Sequence, residues 1–351
     1  MNYFINDLVK LNTSEKVNAQ GKARRDVMHT FSDCGYEVRN ILNYRYSWGK
    51  SRKYHHYPIL THWIAIRQAN RFLKDVKEGD TVAIQDFHLR HMQHIATECL
   101  KKKARVILVI HDVQSIRFNV TTEEVRQLNN ASLLLVHTPA MEEKLRSIGV
   151  TTPMRTMMLF DYYSDSPMTN ADDILPLRNE VVFAGNLAKS DFLHHIIKQD
   201  GLKGITLRLY GMKGNLDTGA SDGIEYCGMF EPEKTDAVKG GWGLVWDGNS
   251  IETCAGGIGN YLRYNSSHKM SLYLACGIPL IVWSRSSLAS WVRENNVGIV
   301  TDNLNSIADI IRNIPDEEYR RMIDSAHRIG VQLRKGSMLK QCITQNSRVS
   351  V

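Results

Sequence analysis

The chain has 351 residues, 43% hydrophobic and 23% charged, with a formal net charge of +7. That length suits two globular domains, and the longest apolar runs, VILVI and SLLLV, fall far short of a membrane span. Six cysteines (Cys34, Cys99, Cys227, Cys254, Cys276, Cys342) form no CxxC pair, which excludes a disulfide scaffold or cysteine-rich zinc site and predicts buried thiols in a reducing cytoplasm.

The opening MNYFIND lacks a basic region followed by an apolar core, so no signal peptide is expected. In the first half NYFIN, YEVRNIL, TVAIQDF, RVILVIHD, SLLLVHT and MRTMMLF read as strands. Between them SEKVNAQGKARRDVMHTFSDCG, YPILTHWIAIRQANRFLKDV, RHMQHIATECLKKK, TEEVRQLNN and AMEEKLRSIG carry apolar residues at helical spacing. Continuous apolar strands alternating with helices predict a doubly wound parallel sheet. The polar stretch SPMTNADDILPLRN reads as an interdomain linker, after which the alternation restarts at EVVFAGN and runs to C-terminal helices. The expected boundaries are residues 1–162, a linker at 163–179, a second domain at 180–330 and a C-terminal helix or tail at 331–351. Ligands of such sheets bind beyond the carboxyl ends of the strands.

Several motifs fall at those ends. In VVFAGNLAKS a strand stops at Gly185-Asn186 before Lys189 and Ser190, where glycine admits close approach and a helix start favours anions; a plain strand–turn–helix fits the same residues. IEYCGMFEPEK predicts a strand ending near Tyr226, Met229 and Phe230, then a helix with Glu231 and Glu233 in its first turn. GWGLVWDG ends in Asp247, placed either for sugar hydroxyls or for fixing the next loop. In GNYLRYNSSHKMSLYLACGIPLIVW, Ser266 and Ser267 cap a helix over 268–275, closed by Gly277 and Pro279. His268 and Lys269 then sit as cations in the first turn, where the helix dipole opposes them unless an anion binds. VIHDVQSIRF places His111 beside Asp112 at a strand end, as a base or as a turn and its cap. QDFHLRHMQH offers Asp86, His88, His91 and His94, without the pattern of a zinc site. The basic, aromatic stretch Tyr44 to Tyr57 has the flavour of single-strand nucleic-acid binders but no accompanying recognition motif.

ACGIPLIVW resembles the signature of GT-B glycosyltransferases. The longer GWGLVWDG and GNYLRYNSSHKMSLYLACGIPLIVW, with VIHDVQSIR, HTPAMEEKLRSIGV, LFDYYSD and VVFAGNLAKS, are similar to the bacterial β-1,6-galactofuranosyltransferases and the adhesin-modifying glucosyltransferases. The resemblance spans most of the chain and implies a GT-B fold, two Rossmann-like doubly wound domains facing a cleft. It implies metal-independent, inverting transfer of galactofuranose or glucose from a UDP-sugar, without a cofactor, to a glycan, glycolipid or glycoprotein acceptor. Carried over by motif, Gly185, Asn186, Lys189, Tyr226, Asp247, Tyr264, Asn265, His268 and Lys269 bind the donor. Gln20 and Lys22 of NAQGKARRD border the acceptor, and His111, Asp112 and Asp86 are the base candidates. Leu272 stands where many retaining relatives carry Glu, in keeping with inversion. A homo-oligomer in the cytoplasm, with peripheral contact at the inner face of the membrane, completes the expectation. A noncatalytic nucleotide-sugar-binding subunit and a basic nucleic-acid-binding protein are the alternatives.

Overall fold

The computed structural model describes residues 1–9, 19–43, 58–85, 87–199, 202–217 and 223–344. Asp86, the Tyr44–Tyr57 stretch and the side chain of Gln20 lie outside the described residues. The first half runs β1 (Asn2–Val9), α1 (Ala19–Asp33), β2 (Glu37–Asn43), α2 (Pro58–Leu73), β3 (Thr81–Ile84), α3 (Arg90–Lys101) and β4 (Arg105–Val109). It continues through α4 (Gln114–Arg117), α5 (Thr122–Asn129), β5 (Leu133–Val136), α6 (Pro139–Ser147) and β6 (Met154–Thr156). The strands pair in parallel in the order β2-β1-β3-β4-β5-β6. Successive residues of β1 point to opposite faces, so Tyr3 and Ile5 enter the core beneath α2 and α3 while Phe4 enters the one beneath α1. A sheet buried on both faces needs such apolar strands.

The second half begins with α7 (Ala171–Ile174), a short helix within the stretch read as a linker. Then come β7 (Glu180–Ala184), α8 (Phe192–Lys198), β8 (Thr206–Tyr210), β9 (Ile224–Gly228), β10 (Trp242–Val245), α9 (Gly256–Tyr261) and α10 (His268–Ala275). β11 (Leu280–Trp283), α11 (Ala289–Glu294), β12 (Gly298–Thr301), α12 (Ile307–Asn313), α13 (Asp316–Leu333) and α14 (Ser337–Thr344) complete it. This sheet is also parallel, in the order β12-β11-β10-β7-β8-β9. The strand order reverses between β10 and β7, the place where a doubly wound sheet opens a crevice for ligands. Together the sheets form two Rossmann-like domains, as the sequence predicts.

Two expectations need correction. The strands expected to reach Phe87, Asp112, Thr138 and Phe160 stop at Ile84, Val109, Val136 and Thr156. The polar residues beyond them, Gln85, His111 and His137, bond through their side chains across the sheet edge. No α-helix follows Phe230 either: the segment makes a single 3₁₀ turn at Thr235–Ala237. Its buried residues, Pro232, Thr235 and Val238, recur every third position, the 3₁₀ period. Glu233 pairs instead with Arg25 of the first half at 2.6 Å.

The chain crosses between halves more than once. From α9, Tyr261 inserts into the first domain's core beside α4, its hydroxyl accepting the Val113 N–H at 3.1 Å and its ring stacked under the Arg117 guanidinium. α14 packs Leu339 and Cys342 against Val27 and Phe31 of α1. Asp161 caps this helix, its carboxylate accepting the Met338 and Leu339 amides at 3.0 and 2.9 Å. Burial pushes the Asp161 carboxyl up to about 7 against the pull of those two amides.

Candidate active site

The site is assembled on α10. Ser267 caps it by accepting the Lys269 N–H, and the helix ends at Gly277, whose φ of +80° suits a residue without Cβ. All residues from Met270 to Ala275 are buried, so the helix is fixed along its length and presents its first turn to the cleft. Lys269 reaches Asp247 at the end of β10, with Nζ 2.9 Å from Oδ2. Its stem passes Gly185 at the end of β7, and the ammonium lies 5.1 Å from the Phe183 ring centroid. The sequence-predicted Gly185, Asp247 and Lys269 therefore meet at the reversal point of the sheet.

Tyr273 holds that point open. Hydrogen bonding between β7 and β10 ends at the Val182–Gly243 register, although both strands continue. The Tyr273 hydroxyl fills the gap, accepting the Ala184 N–H at 2.8 Å and donating to the Leu244 carbonyl at 3.3 Å. A Cβ on residue 243 would lie 2.2 Å from the Tyr273 ring, so only glycine fits there. Tyr273→Phe strands a buried donor and a buried acceptor, and a loss of about 1–3 kcal/mol is expected in denaturant unfolding.

The first domain supplies the opposite wall. Phe160, on the crossover from β6, is ringed by three histidines, with centroid distances of 5.6 Å to His111, 4.9 Å to His137 and 5.1 Å to His268. His137 Nε2 donates to the Ile110 carbonyl at 2.9 Å, and its Nδ1 accepts the Ser266 N–H at 3.2 Å, which defines a neutral tautomer. Thr138 donates to the Tyr264 carbonyl at 2.6 Å. The entry loop of α10 is thus bonded to the facing domain. Burial holds His137 down to about 4 and His268 to about 3, the latter reinforced by the Lys22 charge. His268 is therefore neutral, and the expected pair of first-turn cations reduces to Lys269.

His111 Nε2 lies 3.1 Å from Gln85 Oε1. A carbonyl oxygen only accepts, so Nε2 carries the proton and Nδ1 keeps its lone pair. Burial, then the Arg24 charge, lowers the His111 pKa well below its ordinary value. Asp112 is paired with Arg117 at 3.1 Å, and partial burial raises its carboxyl against that guanidinium.

The remaining expected residues are more dispersed. Lys189 is exposed in a 3₁₀ turn after β7. Tyr226 stands on the edge strand β9, its hydroxyl donating to the Gly211 carbonyl at 3.0 Å and its ring under Lys213. The Tyr264 ring packs on the first domain's core. Lys22 does not present its ammonium to an acceptor: it is buried against the Asp26 carboxylate, the Tyr163 carbonyl and the Tyr162 ring. Burial lowers Lys22 and pushes Asp26 up to about 6. His88, His91 and His94 diverge toward Glu124, Asp7 and Asn70 and do not share a site. Sequence reading missed Gln85, Arg24, His137, Phe160 and Tyr273; the aromatic run LFDYYSD at the domain boundary was the signal for Phe160.

Around the start of α10, buried polar atoms lack partners. Among the described residues these include Asn186 Oδ1, Asn265 Oδ1, Ser266 Oγ and both ring nitrogens of His268. Orphaned polar atoms are rare in folded proteins and mark places where something else completes the hydrogen bonding.

Comparison with known proteins gives the same assignment. Residues 2–159 match the N-terminal domain of the Glucosyltransferase 3-like family and residues 181–346 its C-terminal domain. The chain belongs to the Glucosyltransferase 3-like glycosyltransferases. As such it is an enzyme, a hexosyltransferase. Within this family it is 27% identical over 349 residues to the β-1,6-galactofuranosyltransferase WbbI of Escherichia coli, covering 98% of this chain and 97% of that protein. It is 28% identical over 287 residues to Glucosyltransferase 3 of Streptococcus gordonii, covering 79% and 82%. Solved structures with the same fold include sucrose-phosphate synthase of Thermosynechococcus elongatus, at TM-score 0.63 and 12% identity over 97% of both chains. Another is Anabaena HepE in complex with UDP, at TM-score 0.60 and 14% identity over 97% of this chain and 98% of that one. The fold of this Glucosyltransferase 3-like chain is accordingly GT-B. Among the described residues no helix is long and apolar enough to cross a membrane.

Proposed function

We propose that the chain transfers a hexose, galactofuranose or glucose, from a UDP-sugar to a glycan acceptor, by inversion and without a metal ion. The observation that carries this reading is the set of orphaned polar atoms around Lys269 and the first turn of α10. Asn186, Asn265, Ser266 and His268, all on the second domain's side of the cleft, offer unpaired hydrogen-bonding atoms to a ligand. Lys269 and the positive end of the α10 dipole offer positive charge for a diphosphate, and Asp247 both aims the lysine and offers a carboxylate to sugar hydroxyls. That HepE was captured with UDP, and WbbI is named for galactofuranosyl transfer, agrees with this donor class.

In the reaction the acceptor oxygen attacks the anomeric carbon from the face opposite UDP. The glycosidic bond to UDP breaks as the new one forms, so configuration inverts. The acceptor proton passes to Nδ1 of His111, which Gln85 keeps as the bare nitrogen. The strongly lowered His111 pKa keeps that nitrogen unprotonated around neutrality. Of the other base candidates, Asp112 is engaged by Arg117, and Asp86 lies outside the described residues.

A panel of UDP-, GDP- and dTDP-sugars tests the donor. UDP-galactofuranose or UDP-glucose is expected to raise the melting temperature in a dose-dependent way, and the GDP- and dTDP-sugars to do so far less. Equal shifts from all three nucleotides, or none from UDP-sugars, would refute the assignment.

A further inference from the structure

The net positive charge belongs to one half of the molecule: residues 1–162 contain 24 Lys and Arg against 16 Asp and Glu, and the rest of the chain 20 against 21. Part of that excess is organised on α2. Its inner face buries Ala65, Ala69, Phe72 and Leu73. Its outer face carries Trp63, Ile64, Arg67 and Arg71, with Lys74 just past the helix end, spaced so that all five follow one side. Trp63 is 65% exposed and Ile64 37%, unusual for such side chains on a helix with a well-packed inner face. Among the described residues, none of the three cations is in an ion pair.

We infer that the outer face of α2 is a docking surface for an anionic lipid bilayer. A tryptophan ring beside an aliphatic residue settles at the level of the headgroups, and cations on the same face add attraction to anionic lipids. Self-pairing of the face is disfavoured, since a two-fold contact would set the three cations of one copy against those of another. Topology adds a direction. α2 begins after the carboxyl end of β2, so Trp63 and Ile64, in its first two turns, stand at the edge of the sheet that faces the cleft. A bilayer held there lies beside the cleft mouth, where a lipid-borne acceptor would enter.

The test uses the full chain and vesicles of phosphatidylcholine, with and without half phosphatidylglycerol, in flotation assays. Binding is expected to the anionic vesicles, to weaken at least tenfold at 0.5 M NaCl, and to be near background on phosphatidylcholine alone. Arg67→Glu with Arg71→Glu is expected to lower partitioning at least tenfold and Trp63→Ala at least threefold, with the circular dichroism spectrum unchanged. Equal binding to both vesicle types, or wild-type binding by the charge-reversed variant, overturns the inference. So does oligonucleotide binding of equal strength that Trp63→Ala leaves intact, which would mark a general polyanion site. So too does a lipid-free oligomer that the charge reversal dissociates, which would make the face an interface between copies. All of these readouts are independent of transferase activity.

Discussion

Lys269→Met is expected to weaken UDP binding by a hundredfold or more, with little change in the fold. A hydrogen-bonded cation removed from a partly buried charge cluster typically costs about 2–5 kcal/mol, and a hundredfold is about 2.7 kcal/mol. Lys269 qualifies because its ammonium is only partly accessible, is aimed by Asp247 and lies at the first turn of α10, where positive helix-end charge adds to its own. Methionine keeps a stem of similar shape beside Gly185 and the Phe183 ring, so loss of packing is kept apart from loss of charge. Lys189→Ala is the contrast: that side chain is exposed, and a change of less than about fivefold is expected. Calorimetry with UDP reads both. Affinity of Lys269→Met within threefold of wild type would remove the lysine from the diphosphate site.

The second large effect is on turnover. His111→Gln is expected to lower kcat by about 10²–10⁴-fold, the usual contribution of a general base, while UDP affinity stays within a few-fold. A purely structural histidine would instead lose stability and both kinetic constants together. Gln85→Glu separates the roles further. The carboxylate still accepts from Nε2 and so preserves the tautomer, but its negative charge raises the His111 pKa from its depressed value. The base is active only when unprotonated, so the acidic limb of kcat/KM is expected to move to higher pH. His111 titration by NMR should move the same way. A moved titration with an unmoved kinetic limb would keep the Gln85 contact and remove His111 as the base.

Much of this site was legible before any coordinates, and the gaps have physical causes. Gly185, Asp247, Ser267 and Lys269 were readable because each sits at a strand end or helix start, where residue type follows from backbone geometry and dipole direction. His268 was misread as a cation because its charge is set by burial against Phe160 and Tyr162, contacts made across more than a hundred residues. Lys22, which the resemblance sets beside the acceptor, is buried instead, because Asp26 one helical turn on and the distant Tyr163 carbonyl close around its ammonium. Gln85 has no motif at all, and only the three-dimensional neighbour His111 gives it meaning. The 3₁₀ turn after Phe230 was legible in principle, since its buried residues recur at three rather than at three to four.

The double crossing of the chain also has a consequence for how the protein is made. The first domain emerges from the ribosome well before its own interior is complete. Tyr261, which packs into that domain's core beside α4, is synthesised about a hundred residues after the domain ends, and Leu339 and Cys342, which cover α1, come later still. Until then the nascent first half carries two open apolar seams. The two halves that sequence comparison separates so cleanly are therefore not two independent folding events, and a gene cut between them would yield a first fragment exposed at both seams.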